Sequence, residues 1–153
     1  MNRPLAAVVG GAVGTTVLSL LLLLLEVETR SAVRIFAVIA RFAGVPGQHA
    51  VGFVIFLFAG VVAWPLLFVA LERYIPRGPD PAARGVVFAA FLWVAFVLTG
   101  RGDVSGPLLL VFAAYTLIAH LAYGFTLGAV YARLTGMTGP STEGHVAGRA
   151  GDG

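Results

Sequence analysis

His120 is the residue of this chain best placed to do chemistry. It lies 13 residues into an apolar run, Pro107–Tyr131, and is the single side chain in the four long apolar blocks that gains or loses charge near neutral pH. Helical spacing puts it on one face with Thr116, Tyr123, Gly124 and Leu127, about 20 Å from the start of the run. An ionisable group at that depth is a candidate proton relay, ligand contact or cofactor ligand. The competing reading is a neutral imidazole hydrogen-bonded across a helix interface, as polar side chains in spans commonly are. With no second ionisable residue at similar depth, the structural reading is the stronger.

The remaining polar residues offer little more. His49 opens the second apolar block, so it differs in depth from His120 by roughly 15–20 Å, and the two cannot ligate one iron. His145 sits in the tail, and the chain has no cysteine, which removes thiolate sites and disulfides. Glu26, Glu28, Glu72 and Asp103 all fall at block ends, with no acid–base pair expected to converge. We therefore assign no catalytic, metal or cofactor-binding residue and expect no cofactor and no enzyme.

The elements that position His120 follow from where the charges are. With 59% hydrophobic and 11% charged residues, the chain is one domain of the membrane class. All its basic residues are arginines beside apolar blocks, where anchoring explains them better than nucleic acid does. Leu5–Leu25, 21 uncharged residues, makes a helix of about 31 Å, enough for a hydrocarbon core of about 30 Å. A secretory signal is the rival for this segment, but the run is long and Glu26-Val27-Glu28 offers no small-residue cleavage site. The second span runs over about 50–71 and contains Pro65, which predicts a kink near Trp64, serving packing rather than a gating hinge. The third, 81–100, needs Pro81 in its first turn and Arg84 reaching back to the interface. The fourth spans 107–131.

Arg30, Arg34 and Arg41 share one side of a segment over about 30–43, with Ile35, Phe36, Ile39 and Phe42 opposite. That pattern predicts an interfacial helix with its apolar face in the acyl boundary, or a linker covering the bundle end. The stripes Gly10-x-x-x-Gly14 (after Ala6) and Gly124-x-x-x-Gly128 are helix-packing faces, used within the bundle in preference to between copies. Residues 135–153 read as a disordered Gly-rich tail. Four spans place Arg3, Arg73, Arg77, Arg84, Arg133 and Arg149 on one side and Arg30, Arg34, Arg41 and Arg101 on the other. That excess favours both termini in the cytoplasm.

The run His120-Leu-Ala-Tyr123-Gly124-Phe-Thr-Leu127-Gly128-Ala-Val-Tyr131, with Gly10-Gly11-Ala-Val-Gly14-Thr15 and Arg84-Gly85-Val-Val-Phe88 leading to Trp93, resembles a family of small prokaryotic membrane proteins. These are frequent in haloarchaea and carry a domain-of-unknown-function label. The resemblance covers the spans, roughly residues 5–132, and implies four membrane helices and no activity. Family members tend to show a histidine and a later tyrosine in the second span as well. Matching Phe56-x-x-x-Gly60 to His120-x-x-x-Gly124 puts Phe56 and Leu67 at those places here, which weakens any paired-histidine site.

The expected fold is all-α, an integral membrane four-helix bundle with one short amphipathic interfacial helix between spans one and two. The expected function is that of a multi-pass cell-membrane protein packing in the lipid bilayer with itself or with a larger membrane complex, and not with nucleic acid. The alternative is a small transporter or proton pathway centred on His120, Tyr123 and Thr116.

Overall fold

In a computed structural model, the described residues 1–30, 32–76 and 80–137 form five helices: α1 (Arg3–Glu28), α2 (Ile35–Phe42), α3 (His49–Leu71), α4 (Pro81–Gly100) and α5 (Gly106–Thr135). All but α2 are long and apolar enough to cross a membrane, so the chain is an all-α, multi-pass membrane protein. Helices are the natural outcome for such a sequence, because hydrocarbon supplies no partner for an unpaired backbone group.

The helix ends carry local signals. Asn2 caps α1 by accepting the Leu5 N–H at 3.0 Å, with Pro4 in the first turn. Asp80 does the same for α4 through the Ala82 N–H at 3.0 Å, with Pro81 next. Gly136, at φ 72°, stops α5 by entering the left-handed region. Thr135 is thus the last turn of α5 and not the start of a tail; residues 138–153 of the expected tail lie outside the described residues.

Bundle order follows from close backbone approaches. α5 is central. On one side α1 lies against it, with Gly14 facing Tyr123 and a methyl at Gly10 falling 2.7 Å from the Leu127 carbonyl oxygen. On the other side Gly124 and Gly128 meet Gly85 and the Pro81 carbonyl of α4. α3 packs on α1, where Gly11 meets Pro65 and the Gly60 carbonyl. The two small-residue stripes therefore pack within one chain but against different neighbours, never against each other.

α2 starts later than expected and, of the two expected forms, takes that of a linker covering the bundle end. It begins at Ile35, because Arg30 takes φ 49° in the turn after α1 and Arg34 is its N-cap. Ile35, Val38 and Ile39 are buried in the protein rather than offered to acyl chains. Val38 touches Gly100, Ala40 touches Gly52, and Phe42 meets Phe96 at 5.3 Å. The amphipathic pattern is real, but the bundle end supplies its apolar partner.

Candidate functional site

Inside the spans, side-chain polarity collects on α5 and on what faces it. His120 is 4% exposed. Its Nδ1 lies 2.7 Å from the Thr116 carbonyl oxygen, and a carbonyl only accepts, so Nδ1 carries the hydrogen. The Phe96 ring packs 4.9 Å from the imidazole. Thr116 is also buried: its hydroxyl donates to the Phe112 carbonyl at 2.7 Å and accepts from Trp93 Nε1 at 3.2 Å. The indole also reaches the Ala113 carbonyl, at 3.1 Å, which ties α4 to α5.

Tyr123, 1% exposed, does something different. Its hydroxyl donates to the Gly60 carbonyl of α3 at 2.8 Å. That carbonyl needs a donor for a reason written in the sequence. Over Ala59–Ala63 the helix widens into a π turn, and the Trp64 N–H goes to Ala59 instead of Gly60. The next candidate donor is residue 65, a proline without an N–H. Pro65 thus reshapes the ladder of α3, and the freed carbonyl points to Tyr123. The turn is also where α1 comes closest, through Gly11 and Thr15.

Among the described residues, the hydrogen bonds of His120, Thr116 and Tyr123 do not form a relay: each side chain uses a backbone carbonyl. Two other hydroxyls at this depth, Thr15 Oγ1 and Ser19 Oγ on α1, are buried without a hydrogen-bond partner, and Thr15 lies against Gly60.

A second polar cluster sits at the bundle end that holds the N-terminus. Arg3 of α1 pairs with Glu72, just past α3, and donates through Nε to the Tyr131 hydroxyl at 2.8 Å. Tyr131 in turn donates to Glu72 at 3.1 Å. Glu72 is 4% exposed while its arginine partner is largely in the open, so one buried carboxylate is held by two residues from two other helices. Phe68 closes the cluster edge-on to Tyr131 at 5.7 Å. At the opposite end, Glu26 accepts the Ile35 N–H at 3.0 Å and Arg41 donates to the Gly100 carbonyl at 3.0 Å. Arg30 and Arg34 are exposed.

Sequence reasoning placed Glu72 at an interface and Arg3 on the same side without joining them, and it passed over Tyr131. The usable signal was topological: the start of span one and the ends of spans two and four share one membrane face. Gly60, Thr15 and Gly85 entered the sequence reading only through the family resemblance, with no contact assigned, and Ser19 not at all.

No curated protein and no solved structure matches this sequence. A family model does, over residues 1–142: a family of unknown function, DUF6789. That match takes in all four spans and both polar clusters, and the chain belongs to the DUF6789 family.

Proposed function

We propose that this chain is a small non-catalytic protein of the cell membrane, with both termini in the cytoplasm, that assembles with itself or as an accessory subunit of a larger membrane complex. The observation that carries this reading is how the buried polar groups are used. Tyr123 bonds across to the Gly60 carbonyl of α3 and Thr116 accepts the Trp93 indole of α4, which is the work of helix packing in lipid, while His120 and Thr116 donate to carbonyls of their own helix. The outside, by contrast, offers large apolar side chains: Leu20, Val54, Phe58, Phe91, Leu98 and Ile118 are all more than half exposed. Such a surface suits neighbouring spans. A tagged copy taken from its own membrane in mild detergent should carry a stoichiometric membrane subunit or run as a defined homo-oligomer. Recovery as a bare monomer across several detergents counts against the proposal.

One observation favours a second reading, a proton pathway centred on His120 and gated near Pro65. Thr15 Oγ1 stands unpartnered beside Gly60, where α3 is not regular, and Ser19 Oγ is unpartnered one turn further along α1. Purified protein in vesicles loaded with a pH dye decides between the two. The packing role gives the same proton flux as empty vesicles, whereas the pathway gives added flux that His120→Ala abolishes without changing the detergent-solubilised fold.

A further inference from the structure

The buried carboxylate of Glu72 is only half satisfied. Oε1 receives both the Arg3 guanidinium and the Tyr131 hydroxyl, while Oε2 is buried with no hydrogen-bond partner among the described residues. An ionised oxygen without a donor is costly to bury, and a neutral hydroxyl much less so. The charge is therefore kept in place by one ionic partner, Arg3. That side chain is 57% exposed, against 5% for the carboxylate, so it can turn to water as soon as the attraction ends.

The first turns of α1 have few other ties. Toward its far end α1 buries Leu18, Leu22 and Leu25, but ahead of Gly10 it buries just Ala6 and Ala7. Spans in lipid associate through packing and polar contacts, and two methyl groups leave the Arg3 cluster as the main grip on this end. The Met1 amino group adds one exposed contact, to the Leu134 carbonyl at 3.3 Å. Tyr131 holds Glu72 in another way. It is fully buried against Phe68, and its hydrogen bond is one that a neutral carboxyl oxygen still accepts. The other described charged groups on this face are Arg73, turned onto the Tyr74 ring, Arg133 of α5, and Arg84 and the exposed Asp80 of α4, where Asp80 caps its helix.

We propose that Glu72 is a proton-operated latch on α1. Ionised, it grips the first turn through Arg3. Taking one proton from water at Oε2, it releases Arg3 and keeps Tyr131 at Oε1, so α1 loosens at this end while α3 and α5 stay joined. The grip is present while Glu72 is charged and is lost as the pH on the N-terminal side falls. The latch does not involve His120 and works whether or not a partner subunit is found.

The chain has no cysteine, so spin labels on introduced cysteine pairs can follow the latch in the full chain in detergent. Leu5→Cys with Leu67→Cys, both at exposed positions, reports α1 against α3, and Leu67→Cys with Phe125→Cys reports α3 against α5. Electron-resonance distances are compared at about pH 7 and about pH 3.5, above and below the range in which glutamates in water titrate. On acidification the first distance should lengthen by about 5 Å, one helical turn, and the second should stay. Glu72→Gln is uncharged at both pH values and still accepts from Tyr131, so it should show the long first distance throughout. If Glu72→Gln does not fold, Arg3→Gln at the exposed end of the pair should do the same. A first distance that is equal at the two pH values in the native chain overturns the proposal. So does a pH response that survives in either variant, because another titrating group then drives it. A second distance that lengthens with the first also overturns it, since the bundle is then unfolding as a whole.

Discussion

Tyr123 is the residue on which the interior turns. Its hydroxyl is the donor to a carbonyl that Pro65 and the π turn leave without a helical partner, so the tyrosine and the proline act as one feature although they lie on different helices. Tyr123→Phe keeps the ring against Gly14 and removes only that donor. Interhelical hydrogen bonds in membranes average about 0.6 kcal/mol and reach about 1.7, and the upper part of that range is expected here because the acceptor is buried. Unfolding in mixed micelles by SDS titration would measure it. In a Pro65→Ala background residue 65 regains an N–H, Gly60 or Val61 regains a helical donor, and the same Tyr123→Phe change should cost less. An identical cost in both backgrounds would break the link between the two residues. His120, by comparison, satisfies a carbonyl on its own helix, and Phe96 fixes its ring from α4.

At the scale of elements, the four spans were legible because hydrocarbon sets both their length and their lack of charge. α4 has the expected limits, α5 runs on to the glycine that stops it, and α3 starts one residue early at His49. Contacts between elements were much less legible. Gly124-x-x-x-Gly128 announces a close approach but does not name the other side, and its partner Gly85-x-x-x-Ala89 is the weaker small-residue form of the same pattern. The same limit applied to α2: periodicity reveals an apolar face, and lipid and protein satisfy it equally well. For the candidate site, His120 and its face on α5 could be read from spacing. The Tyr123–Gly60 bond and the Arg3–Glu72–Tyr131 cluster join residues 59 to 128 positions apart, beyond any local pattern. Gly85→Leu should therefore be among the most damaging single changes in the chain. Any side chain there meets the Gly124 backbone, and α4 can make room only by leaving α5, which also strains the Trp93 contacts. Loss of the monodisperse peak in detergent is expected, while Ala114→Leu, on the exposed side of α5, should leave it intact. A Gly85→Leu protein that melts like its parent would refute this packing.

The whole molecule has two unlike ends. One gathers Met1, the Arg3–Glu72–Tyr131 cluster and Arg73, Arg84 and Arg133, with the Met1 amino group 3.3 Å from the Leu134 carbonyl oxygen. The other holds α2 with Arg30, Arg34, Arg41 and Arg101. Carboxylates weigh little in orientation and arginines near span ends weigh most, so pairing Arg3 with Glu72 does not remove it from the count. Adding Arg77 and Arg149, the first end leads by six to four, and both termini are expected in the cytoplasm. Reporter fusions at either terminus that are active only in the cytoplasm would check this directly. The margin is small enough to be reversed. Arg73→Gln, Arg77→Gln and Arg133→Gln together leave three arginines facing four, and none of the three belongs to the Arg3–Glu72–Tyr131 cluster, so the bundle should still assemble. Such a variant should insert in mixed or inverted orientation. If the native fusions report the outside, the assignment is wrong. If the triple variant keeps the native orientation, the arginine balance does not set it, and the order in which the spans insert does.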